Sequence, residues 1–161
     1  MAFSQSCGGT ATGDGPIAHA KILIIEGEYH TRKTLRALLL ALDCSKIHEA
    51  SDGESGLEAI HALAPDLVLL DWELPGMGGA TFVRRLRAVG FPHASVPIIM
   101  LVGREERSRV LEAVRLGVHE FLLKPIAGGA LKTRLLSVLG NSLATSRRDR
   151  QPPSHPRKLA S

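Results

Sequence analysis

Three runs of four apolar residues, Ile22–Ile25, Leu67–Leu70 and Ile98–Leu101, contain no polar residue and no alternation. A strand with one wet face alternates polar and apolar side chains, so runs like these belong to strands buried on both faces, as in a parallel sheet. Parallel strands need crossover connections, and helical patterns stand where crossovers would. Leu35, Leu38, Leu39 and Leu42 follow the first run at helical spacing. Leu57, Ile60 and Ala64 follow a weaker strand candidate, Lys46–Ala50. Phe82, Leu86 and Val89 follow the second run, and Val110, Leu111 and Val114 the third. Val118–Leu123 reads as a fifth strand, and Leu131, Leu135, Val138 and Leu139 as the face of a last helix. Five strands alternating with five helices predict one doubly wound α/β domain with right-handed crossovers.

The domain is expected over residues 21–141. A small, Gly-rich leader (1–20) and a basic, Pro-containing tail (142–161) are expected to be disordered. From Thr145 onward five basic residues face one acid, which accounts for the whole net charge of +4. The high isoelectric point is therefore a property of the tail. No aromatic or helical motif accompanies that charge, so it does not point to nucleic acid. No signal peptide or membrane span is legible, and Cys7 and Cys44 show neither metal nor redox spacing. Reduced thiols and a cytoplasmic location are the expectation.

In a parallel sheet the residues after each strand gather on one edge, where open α/β proteins hold their chemistry. Here these are Glu26 and Gly27, then Asp71, then Val102 and Gly103, then Lys124 and Pro125. Asp71 ends a buried run, and the helix pattern resumes only near Gly78, so Asp71 is not its N-cap. Two carboxylates and a lysine arriving from three loops suit phosphoryl chemistry. One carboxylate serves as nucleophile, an acidic pair binds Mg²⁺ through hard oxygens, and the lysine neutralises phosphoryl oxygens.

These residues resemble the receiver domain of two-component response regulators. DWELPGMGG (71–79) matches the phosphoacceptor loop, PIIML (97–101) the fourth strand, and EFLLKP (120–125) the fifth strand with its Lys-Pro peptide. The resemblance implies a flavodoxin-like sheet of strand order 2-1-3-4-5. It also implies a cis peptide before Pro125 and a phosphoryl group accepted by Asp71 from a sensor histidine kinase or phosphotransfer protein. Lys124 would contact that group. Mg²⁺ would sit on Glu26, Asp71 and the backbone carbonyl of Glu73. With only about twenty residues beyond Asn141, the expectation is a chemotaxis-type, single-domain regulator. It would signal through protein contacts on the face of the fourth helix, fifth strand and fifth helix of the domain, with homodimerisation left open.

Two positions depart from the pattern. Gly27 stands where the family carries a second acid that binds the metal, which implies weakened Mg²⁺ binding. Val102 replaces the switch hydroxyl, although Phe121 keeps the aromatic switch position. The competing reading is a degenerate receiver acting as a phosphorylation-independent interaction module. A third is an aspartate-nucleophile phosphatase, for which Glu73 has the spacing of a general acid, but the rest of that motif is absent. No GxGxxG or P-loop follows the first strand, which excludes the usual nucleotide-binding motifs.

Overall fold

The computed structural model describes residues 15–148. Cys7, most of the leader and the tail beyond 148 lie outside the described residues. Five strands form one parallel sheet: β1 (Lys21–Ile25), β2 (Lys46–Ala50), β3 (Leu67–Asp71), β4 (Ile98–Val102) and β5 (Glu120–Leu123). Their order is β2-β1-β3-β4-β5, as expected. Every residue of β3 and β4 is buried, which explains why those runs carry no polar alternation.

Period-two geometry sends neighbouring strand residues to opposite layers. Leu23, Ile25, Val68, Leu70, Ile98 and Met100 meet α3 (Gly53–Leu63), α4 (Gly79–Leu86) and α5 (Val110–Arg115). Ile22, Ile24, Leu67, Leu69, Ile99 and Leu101 meet α2 (Tyr29–Ala41) and α6 (Gly128–Arg148). Local chemistry sets the boundaries. Asp52 caps α3 by accepting the Ser55 N–H at 2.8 Å, and Ala64 ends it in the left-handed region just before Pro65. Gly117, at φ +83°, closes α5.

The structure corrects several expectations. A sixth helix, α1 (Pro16–His19), lies inside the leader, with Ile17 and Ala20 buried in the α2/α6 layer. At the other end, α6 runs to Arg148, seven residues past the expected boundary of the domain. Val89 is fully exposed because α4 stops at Leu86. Arg87 follows and turns its guanidinium to the carbonyls of Ala94 and Val96. In α5 the stripe that touches the core is Val110 and Ala113. Leu111 and Val114, one helical step away, are 70% and 54% exposed. The fifth strand starts at Glu120 and not at Val118. Before it, the His119 ring accepts the Ile98 N–H, so its side chain holds the start of β4.

The loop after β3 depends on a close backbone approach. Gly79 donates its N–H to the Trp72 carbonyl at 2.7 Å, and a Cβ there would lie 2.9 Å from the carbonyl oxygens of Asp71 and Trp72. Backbone cannot yield as a side-chain tip can. Gly79→Ala is expected to lose about 1–3 kcal/mol in urea denaturation, the cost of overpacking. A loss under about 0.5 kcal/mol would show that the loop relaxes freely.

Candidate functional site

The chain brings Glu26, Asp71 and Lys124 together at the carboxyl edge of the sheet. Glu26 follows β1 and continues the ladder, its N–H donating to the Ala50 carbonyl. Asp71 is the last residue of β3, and the next N–H, that of Trp72, donates to the Leu101 carbonyl at 3.0 Å. Lys124 follows β5, anchored by its own N–H on the Val102 carbonyl at 2.9 Å, and the Lys124-Pro125 peptide is cis. Backbone pairing thus fixes three Cα positions, and the side chains converge. Lys124 Nζ donates to Asp71 Oδ1 at 2.8 Å and lies 2.9 Å from Glu26 Oε2.

The electrostatics are those of two buried acids sharing one cation. Glu26 and Asp71 are 1% and 4% exposed. Burial is the main force raising the Asp71 carboxyl to about 6. The Lys124 hydrogen bond opposes that rise, and the charge of Glu26 adds to it. Burial by itself would lower the Lys124 ammonium, but the two carboxylates outweigh it and hold Lys124 above its usual range. Glu26 Oε1 accepts the Glu28 N–H at 3.0 Å. Its Oε2 has Lys124 at ion-pair distance, but at angles that make no hydrogen bond. Two negative charges therefore stand against one positive, and one buried oxygen lacks a donor.

Around them opens a cleft of roughly 570 Å³, lined by Glu26, Gly27, Glu28, Asp71, Glu73, Glu106 and Lys124 among others. Glu28 is committed elsewhere, as the N-cap of α2. The Thr31 side chain, then the His30 and Thr31 N–H groups, hold its carboxyl down at about 2. At Gly27 the ring of Pro75 fills the space beside Cα. A Cβ there would meet Pro75 Cδ at 2.7 Å. Among the described residues, no three His, Cys, Asp or Glu side chains form a metal-binding group. Val102 is buried, and Phe121 packs partly buried against the same apolar cluster.

Sequence reasoning missed Glu106. It lies in a 3₁₀ turn (Arg104–Arg109), and its Oε2 accepts the Gly103 N–H at 2.7 Å. The neighbouring Glu106 carboxyl raises the Glu73 carboxyl above its usual range, and both acids line the cleft. A glutamate three residues after an N-cap was the available signal.

A five-stranded parallel sheet of this order, with paired acids and a lysine at its carboxyl edge, defines a class that the comparisons identify. The response regulator receiver domain family matches residues 22–136, and the chain belongs to that family. It is 31% identical over 116 residues to the chemotaxis protein CheY of Pseudomonas aeruginosa, covering 71% of this chain and 92% of CheY. It is 38% identical over 105 residues to protein-glutamate methylesterase/protein-glutamine glutaminase 1 of Myxococcus xanthus, covering 65% of this chain but 29% of that enzyme. It is also 35% identical to the KDP operon transcriptional regulatory protein KdpE of Escherichia coli over 80% of this chain and 55% of KdpE. Among solved structures, the receiver domain of AraT, a response regulator from Geobacillus stearothermophilus, superposes with a TM-score of 0.70 at 27% identity. That match covers 79% of this chain and 98% of that one. The family is a signalling module of two-component systems and not a class of turnover enzymes. Among the described residues no helix is long and apolar enough to cross a membrane.

Proposed function

We propose that this chain is the receiver of a phosphorelay and accepts a phosphoryl group on Asp71 from a sensor histidine kinase or a phosphotransfer protein. The observation that carries this reading is the Lys124 ammonium held between Asp71 and Glu26 at the sheet edge. Asp71 Oδ1 holds Lys124, and Oδ2 is the oxygen assigned as nucleophile. As it attacks, a phosphorus–oxygen bond forms to the carboxylate and the donor's phosphorus–nitrogen bond breaks. The released imidazole nitrogen takes a proton from solvent. Lys124 neutralises charge on the transferred oxygens, so catalysis is positioning plus electrostatics.

Mg²⁺ fits the donor set. Glu26, Asp71 and the Glu73 carbonyl are hard oxygens, and the unsatisfied Glu26 Oε2 and the raised Asp71 mark surplus negative charge. When bound, the ion would neutralise phosphoryl charge. A receiver domain of a sensor histidine kinase from Pseudomonas aeruginosa, alike in fold, carries magnesium in its active site cleft. With Gly27 in place of an acid, affinity here falls by about one charge-assisted contact, on the order of 1.5–3 kcal/mol.

The output surface is assigned to α5, β5 and α6, where Leu111 and Val114 stand exposed. The 31% identity to a chemotaxis protein over 92% of that protein's length supports signalling through protein contacts.

The test is phosphorylation by a kinase or by acetyl phosphate, read by intact mass. Incorporation is expected in the natural chain and none in Asp71→Asn. The rate should fall as pH drops below about 6, where Asp71 becomes protonated and stops being a nucleophile. The degenerate-receiver reading draws on Gly27 and Val102. It is favoured if Mg²⁺ and beryllofluoride leave the fluorescence of Trp72, buried beside Asp71, unchanged.

A further inference from the structure

The β4 side of the Asp71 cleft is walled by a carboxylate from an otherwise exposed turn. Glu106 folds back onto Gly103, whose N–H it accepts at 2.7 Å. Gly103 directly follows β4, so this N–H sits on the same sheet edge as Asp71 and Lys124. All four residues line one cleft. Glu73 lines the same cleft.

A carboxylate and a phosphoryl group seek the same partners, N–H donors and cations. An internal anion therefore already holds an N–H donor on the wall of the cleft, and a second acid lines the same space. The bond to Gly103 is also the reciprocal half of a capping box, which stabilises the turn. A cap requires only an acceptor, whereas the charge of this one acts on whatever enters the cleft.

We propose that Glu106 is a specificity-determining gate. Its carboxylate disfavours small free phosphoanions, so the cleft takes its phosphoryl group from a protein donor that presents basic side chains to Glu73 and Glu106. This inference rests on the reading of Asp71 as the phosphoryl acceptor.

The test measures the rate at which acetyl phosphate modifies the full-length protein in Mg²⁺, by intact mass. It compares the natural chain with Glu106→Gln, Glu106→Ala and the control Glu105→Gln. The glutamine retains an acceptor for Gly103 without the charge, and the alanine retains neither. Glu105→Gln removes the same charge from an exposed neighbour. Removing one like charge from beside an anion site is expected to accelerate modification several-fold in Glu106→Gln and roughly tenfold in Glu106→Ala. Glu105→Gln should stay within about twofold, since exposed charges are screened. Amide exchange at Gly103 reports the bond itself, protected in the natural chain and Glu106→Gln and released in Glu106→Ala. Equal rates in the natural chain and both Glu106 variants, with Gly103 released in the alanine, would reduce Glu106 to a cap and overturn the gate. Equal acceleration by Glu105→Gln would overturn it too, as an effect of net charge. Absence of modification by acetyl phosphate in every protein, Glu106→Ala included, would overturn the gate, and a further absence with a phosphorylated histidine-kinase donor would remove the reading of Asp71 as well.

Discussion

Lys124→Met is expected to destabilise the metal-free protein by about 3–5 kcal/mol at pH 8, the cost of stranding buried charge without its partner. Lys124 is the cation at ion-pair distance from both Glu26 and Asp71, which are almost wholly buried. Methionine keeps most of the side chain's volume, so little of the loss comes from packing. The pH dependence separates charge from shape. The Asp71 carboxyl already titrates near 6 in the folded chain, above its ordinary 3.8. Between those values the folded state holds a proton that the unfolded state has released, so stability falls as pH rises through that window. Losing Lys124 pushes the folded-state value higher still and extends the fall upward. The deficit should therefore be largest at pH 8 and shrink towards pH 5. Asp71→Asn, which removes one of the two charges, should recover much of it at pH 8. Urea denaturation in a chelator at both pH values is the measurement. A pH-independent deficit that Asp71→Asn leaves untouched would falsify the electrostatic account and leave a packing defect in its place.

The parts of this protein legible in its sequence are those that one strong physical signal controls. Unbroken apolar runs alternating with helical patterns mark buried parallel strands, and the order of motifs places Asp71 and Lys124 on one edge. The structure joins them at 2.8 Å. Legibility fails where two signals of similar strength compete. In α5 two apolar stripes differ by one helical step. A six-residue helix is too short for periodicity to choose between them, so Leu111 and Val114 mark the helix in the sequence but face outward in the structure. Val89 continues the pattern of α4, yet Arg87 ends that helix by reaching carbonyls that no local rule identifies. The leader reads as disordered from its composition, but Ile17 and Ala20 find a groove that exists only once the layer of α2 and α6 has formed. Glu106 was missed for a related reason. Its partner is a backbone N–H, and its only signature, a glutamate three residues after an N-cap, marks a turn and not a cleft wall.

The missing acid at position 27 is a matter of space as much as of chemistry. Restoring it alone, with Gly27→Asp, introduces a Cβ that meets Pro75 Cδ at 2.7 Å and Cγ at 2.9 Å. A proline ring cannot rotate out of the way. The single variant is therefore expected to lose about 1–3 kcal/mol of stability through overpacking. Its Mg²⁺ affinity should rise only slightly, because the new carboxylate is displaced. Pro75→Ala by itself should cost under about 1 kcal/mol, mostly through a freer unfolded chain. The double variant Gly27→Asp/Pro75→Ala opens the space and leaves three carboxylates at the sheet edge. One further charge-assisted ligand corresponds to roughly 10–100-fold tighter Mg²⁺ binding. The two substitutions are thus expected to be strongly non-additive in both stability and affinity, as groups in direct contact are. Mg²⁺ titration followed by Trp72 fluorescence, with urea denaturation of the same four proteins, completes the cycle. If Gly27→Asp alone gains the full affinity with no loss of stability, Pro75 is no obstacle and the glycine is simply a lost ligand. If only the double variant gains, Gly27 and Pro75 form one unit. The weakness of the proposed metal site is then built into the packing of the loop after β3, and no single substitution at position 27 can restore it.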